Sequence, residues 1–126
     1  TFGYLSDENF SCDAMCANGI KNVDNVHIYY DTYAHIDAGD DYKSNKHLEH
    51  QIKKTMEINY NYGEPPVKVI SCFGGFTIYK VKSIVDNDAN YDLNASENIE
   101  CEHLKLHRYF SNVYVNPSMI HLAINN

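Results

Sequence analysis

Apolar and polar positions divide this chain into short extended runs separated by polar connections. Phe10 to Ala17 (FSCDAMCA) is short and mostly apolar, and Asn18-Gly19 supplies turn chemistry at its end. Val26 to Ala34 (VHIYYDTYA) is β-branched and aromatic and reads as a strand running into a loop. The polar stretch from Asp37 to Asn45 is a loop, and Ser44 or Asn45 can cap a helix from about Lys46 to Asn59. In that helix Leu48, Ile52, Met56 and Ile58 recur at three- and four-residue spacing, with Lys53, Lys54 and Glu57 on the outer face. Gly63-Glu64-Pro65-Pro66 stops it, because prolines cannot continue a helix.

Val67 to Cys72 is a strand, broken by Gly74-Gly75 and resumed from Phe76 to Tyr79. Asp86 to Asn98 is a polar connection, and Glu100 to Phe110 is a second helix with Leu104 and Phe110 in its core. Val113-Tyr114-Val115 is a short strand closed by Asn116-Pro117, and Met119 to Ile124 adds a last extended segment. Such interleaving predicts an α/β or mixed α+β architecture, a small mixed sheet with two main helices. Without internal repeat or linker, residues 1–126 form one domain.

Composition narrows the function classes. The chain is 44% hydrophobic and 21% charged, ordinary for a globular domain. A formal net charge of -7 argues against nucleic acid as a partner and against anionic lipid surfaces. An acidic domain handling anionic ligands would need a metal ion or a local basic cluster. There is no apolar run long enough to span a membrane. The start, TFGYLSDENF, lacks a basic region, an apolar core and an initiator Met, so it is no signal peptide, and the chain is expected to be part of a larger product. Cys12, Cys16, Cys72 and Cys101 form no C-x-x-C pair. Cys12 and Cys16 can ligate a metal if helical, but buried thiols are the plainer expectation, and the low cysteine density favours a reducing, cytoplasmic compartment.

Two segments concentrate the usable chemistry: SCFGGFTIYK (Ser71 to Lys80) and CEHLKLH (Cys101 to His107). Adjacent glycines in an extended run mark close backbone approach or positive φ, either as a floor for a ligand or as a bulge or tight turn. On a helix His103 and His107 lie one turn apart, a spacing that can grip a metal and also arises structurally. Glu102 can serve as a general base if burial raises its pKa, or Glu100 and Glu102 can simply favour the positive end of a helix. Tyr30 and Asp31, within YYDTY, place aromatic rings beside a carboxylate, which suits a sugar or base and equally suits a strand with one exposed acid. His121 alone indicates little.

The order MCANG (Met15 to Gly19), YYDTYA (Tyr29 to Ala34), SCFGGFTIYK, CEHLKLH and VNPSMI (Val115 to Ile120) resembles the C-terminal, acceptor-side half of glycosyltransferases of the GT-A fold, bacterial and large-virus relatives in particular. The resemblance covers Cys12 to His121. It implies a partial GT-A-like domain in which Gly74, Gly75 and the adjoining Phe76 lie along the sugars. It further implies Glu102 as the base that deprotonates an acceptor hydroxyl, with His103 standing where the family's acidic motif has Asp. His121 or, in competition, His107 would ligate Mn²⁺ or Mg²⁺, and Tyr30 and Asp31 would line the donor side. Its partners would be a nucleotide-sugar and a glycan or protein acceptor. Two departures stand out. Asp86-Asn87-Asp88 has the letters of the family's metal motif but follows the glycine loop, and the nucleotide-binding half is absent from these residues. Alone, the chain is expected to be inactive and to self-associate through an exposed core face. The alternatives are a non-catalytic structural or binding protein, and a small metal-dependent hydrolase using Glu102, His103 and His107.

Overall fold

The computed structural model describes residues 10–30, 34–38, 57–90 and 102–123; for Asp37, Glu102, His103 and Leu104 it describes the backbone alone. The described elements are β1 (Ala14–Val23), β2 (Val26–Tyr29), β3 (Ile36–Asp37), β4 (Val67–Ser71), β5 (Thr77–Tyr79), α1 (Val81–Asp86), α2 (Glu102–His107) and β6 (Val113–Ala123). The strands form one curled mixed sheet in the order β2-β1-β6-β4-β3, with β5 pairing β1 beside β2. The β1–β6 pair is parallel and the others are antiparallel. The mixed α/β class and the small mixed sheet are therefore as expected.

The sheet is built outward from β1. Ala14, Met15, Cys16 and Ala17 are all fully buried, which marks a strand covered on both faces. Alternation sends Ala14 and Cys16 to one face, with Val69, Cys72, Leu106, Phe110, Val113 and Val115. Met15 and Ala17 go to the other, with Cys12 and Met119. Burial pushes the Cys12 thiol up to about 11, so it is a neutral apolar group at ordinary pH.

Two expected breaks are not breaks. Asn18-Gly19 and Asn116-Pro117 both read as turn chemistry, yet both lie inside long strands, β1 and β6. The register explains both together. Ala17 pairs with Asn116 and Asn18 pairs with Ile120, so Pro117, Ser118 and Met119 have no partner on β1. This bulge lets a proline, which has no N–H to give a ladder, sit inside a central strand. The Asn18 Nδ2 donates to Pro117 O across the bulge at 3.1 Å. The chain reverses instead at Asp24 and Asn25, which adopt φ of 49° and 65°.

The second predicted helix is present as α2. Phe110 is buried just beyond it, while the inward residues of the helix include Leu106 and His107. Most of the first, 46–59, lies outside the described residues; Glu57 is helical and Ile58 to Tyr60 are not. The short helix α1 falls where no element was expected. No residue of it is buried, and it is pinned by Ser83, whose hydroxyl donates to Asp13 Oδ1 at 2.7 Å. Asp13 Oδ2 in turn accepts the Asn112 N–H at 3.0 Å.

The cysteine expectation needs correction. Cys16, on a strand, is joined to Cys72 by a disulfide. It is therefore neither a thiol nor a partner of Cys12 at a metal, and the ground for favouring a reducing compartment is removed. Cys12 is a buried free thiol as expected, and Cys101 lies outside the described residues. No helix among the described residues is long and apolar enough to cross a membrane.

Candidate functional site around the glycine loop

The disulfide sets where the glycine loop lies. It ties Cys72, just past β4, to the first part of β1, and from there the chain to Phe76 runs against that strand. Phe76 O accepts the Ala17 N–H at 2.9 Å and completes the seating. The loop fills the gap along β1 between its pairings with β5 and with β2.

The approach is backbone on backbone. A Cβ on Gly19 would run into Gly74, and one on Gly74 would run into the Ala17 carbonyl. Gly74 and Gly75 also adopt φ of 66° and 110°, conformations that side-chain-bearing residues avoid. A Cβ on Gly75 would strike the His121 ring. Both sequence-level explanations of the pair, close approach and positive φ, thus hold. The steric demand comes from β1 and His121 and does not require a ligand.

His121 pairs with Gly19 in the β1–β6 register and reaches across it to lie on Gly75. Its ring sits 6.2 Å from that of Tyr30 and 6.3 Å from that of Phe76, centroid to centroid. Its nitrogens make no hydrogen bond. Tyr30 is held there by its N–H, which donates to Gly19 O at 3.0 Å. Five of the residues singled out from sequence, Tyr30, Gly74, Gly75, Phe76 and His121, therefore meet at one place. Asp31 lies outside the described residues, as do the side chains of Glu102 and His103.

His107 does not join them, and its assignment as a metal ligand is corrected. It is 1% exposed and sealed in the core. Nδ1 lies 3.0 Å from Ser71 Oγ and accepts the Cys72 N–H at 3.4 Å, and Nε2 lies 2.8 Å from the Tyr79 hydroxyl. A backbone N–H can only donate, so Nδ1 is the acceptor and the proton sits on Nε2. With both nitrogens engaged there is no lone pair for a metal. The residue instead grips both stems of the glycine loop, Ser71-Cys72 before it and Tyr79 after it. The proposed hydrolase loses one of its three groups.

A divalent ion finds little here. No cluster of three His, Cys, Asp or Glu side chains occurs among the described residues. Mn²⁺ and Mg²⁺ prefer several oxygen ligands, and the lone imidazole of His121 does not hold them. Asp86-Asn87-Asp88 is no substitute: Asp86 ends α1 in an exposed ion pair with Lys82 at 2.8 Å, and Asp88 turns the chain at φ 50°. The described residues thus do not form the expected metal site.

The opposite face of β1 holds a feature absent from the sequence reading. A cleft of about 160 Å³ is lined by Asn18, Gly19, Ile20, His27, Ile28, Tyr29, Ile58, Asn59 and Tyr60. Asn18, read as a turn residue, is 3% exposed, and its Nδ2 donates to both Tyr60 O and Pro117 O at 3.1 Å. Behind the wall, His35 Nε2 lies 2.7 Å from the Tyr60 hydroxyl, and Tyr29 packs edge-on against both rings. The signal available was an amide directly after an apolar run, Ala14 to Ala17, and beside a glycine.

No family model, curated protein or solved structure matches the chain.

Proposed function

We propose that this chain is the acceptor-side portion of a GT-A-like enzyme that transfers a sugar from a nucleotide-sugar to an acceptor hydroxyl. The observation that carries the reading is the convergence of Tyr30, Gly74, Gly75, Phe76 and His121, drawn from three separated stretches of sequence, around the imidazole of a half-buried histidine. Aromatic faces beside a polar group suit a sugar ring, which offers C–H surface and hydroxyls together. Glu102, at the start of α2, takes the acceptor proton as the acceptor oxygen bonds to the anomeric carbon. The bond from that carbon to the diphosphate oxygen breaks, and the nucleoside diphosphate departs. His107 holds α2 to both stems of the glycine loop and so relates the base to the sugar floor. A metal on the diphosphate would draw most of its ligands from outside the described residues.

The test is titration of the ¹⁵N-labelled full-length gene product with a panel of nucleotide-sugars in the presence of Mg²⁺ and a simple glycoside acceptor. Binding shifts the Gly75 amide and the His121 ring resonances. Shifts confined to other regions, or none with any donor, contradict the reading.

A non-catalytic binding protein is the second reading. It is favoured by the fact that packing alone accounts for both glycines of the loop. That reading predicts ligand-induced shifts without turnover.

A further inference from the structure

We infer that the cleft on the far side of β1 is a separate binding site for an uncharged ligand the size of one sugar ring, read through the Asn18 side-chain oxygen. Residues alternate along β1, so Gly19 faces the glycine loop while Asn18 and Ile20 face the cleft, with Tyr29 directly paired to Ile20. The cleft and the glycine loop are two sites back to back, sharing only the thin backbone at Gly19.

Asn18 carries the inference. Two carbonyl acceptors fix its amide orientation, because only the NH₂ group can serve both Tyr60 O and Pro117 O. This leaves Oδ1 with no hydrogen bond among the described residues, on a side chain that lines the cleft. A deeply buried amide whose oxygen is oriented and unpaired is an acceptor waiting for a ligand donor, such as a hydroxyl. An unsatisfied carbonyl of this kind favours water or a hydroxyl over an apolar group.

The remaining walls restrict the ligand. Among the described residues that line it there is no Asp, Glu, Lys or Arg, so no permanently charged side chain balances a phosphate, carboxylate or ammonium group. The chain's net charge of -7 opposes anions further. A volume of about 160 Å³ is well below the ~300 Å³ at which pockets for larger ligands begin, and it excludes a whole nucleotide. Tyr29 and Tyr60, held by the His35 contact, supply the aromatic surface on which the C–H face of a sugar packs. Asn59 and His27, on exposed stretches of the rim, add further polar groups.

The site is tested by ¹H–¹⁵N NMR of the whole chain with methyl glucoside, methyl galactoside and N-acetylglucosamine, each at millimolar concentration, and with uridine as a base-bearing control. At least one sugar is expected to shift Asn18, Ile20, Tyr29 and Asn59 while leaving Gly75 and His121 unmoved. Ile20→Phe, which fills the cleft and leaves both Asn18 anchors in place, is expected to weaken that binding at least tenfold with the thermal midpoint retained. If Ile20→Phe does not fold, His27→Trp, bulky at the exposed rim, gives the same readout. Shifts from no sugar, shifts that persist in both folded variants, or binding of uridine alone each overturn the inference. Sugar transfer at the glycine loop with no sugar in the cleft would overturn it and leave the transferase reading intact.

Discussion

Individual residues in this protein do their work mostly through absence or through hidden contacts. Gly19, Gly74 and Gly75 are bare because the backbones of β1 and the loop touch, and because the His121 ring occupies the space a side chain on Gly75 would need. Gly19→Ala forces the Gly74 backbone to move and is expected to destabilise by about 1–3 kcal/mol in chemical denaturation. Gly75→Ala meets both the ring and a φ of 110°, so its cost is expected to be equal or larger. Adding His121→Ala to Gly75→Ala removes the ring collision and leaves the backbone strain, so the double variant should recover part of the loss. Full additivity in that cycle would show that the ring and the glycine do not interact. His107 shows the converse, a residue whose motif position suggests chemistry and whose surroundings assign it to structure. Nothing in CEHLKLH distinguishes a histidine aimed at solvent from one aimed at Ser71 and Tyr79; that depends on how α2 packs.

Among the elements, the strands with clear β-branched and aromatic character were legible: β2, β4, β5 and the first part of β6 fall close to where hydrophobic pattern places them. The failures cluster at one point in space. Asn18-Gly19 and Asn116-Pro117 are local turn signals, and each is overridden by the bulge that joins β1 to β6. Local chemistry reports what a dipeptide prefers alone, whereas here the asparagine amide and the missing proline N–H fit an irregular parallel pairing. The Cys16–Cys72 bond, between residues 56 apart, was equally out of reach, since spacing does not specify partners. By the chain-entropy account that bond contributes about 4 kcal/mol. Reduction, or Cys16→Ala with Cys72→Ala, is expected to lower the thermal midpoint markedly and to speed amide exchange from Phe73 to Phe76. An unchanged midpoint would mean that the loop is seated without the bond. His107→Leu probes the same junction from α2. It leaves the Cys72 N–H, the Ser71 hydroxyl and the Tyr79 hydroxyl short of a partner and is expected to destabilise by about 2–4 kcal/mol. His107→Gln, which keeps one polar contact, should cost less.

At the scale of the whole molecule, a single mixed sheet presents two faces at the same strand position. On one, residues named from sequence (Tyr30, Gly74, Gly75, Phe76 and His121) come together around an imidazole. On the other, a cleft built around Asn18 was missed from sequence, because its key residue imitates a turn and only the apolar run before it hints at burial. The candidate site was legible to the extent that it consists of side chains on well-patterned strands, and illegible where long-range pairing decides orientation. The acid expected to activate the acceptor, Glu102, begins the helix that His107 fastens to the glycine loop. The most direct measurement of the central claim is therefore transfer of isotope-labelled sugar from a panel of nucleotide-sugars by the full-length gene product, in wild type and Glu102→Gln. The account predicts transfer by the wild type and a loss of roughly 10²–10⁴ in kcat for a variant that folds normally. A folded wild type that transfers no sugar from any donor, or a Glu102→Gln variant that transfers at the wild-type rate, would contradict it.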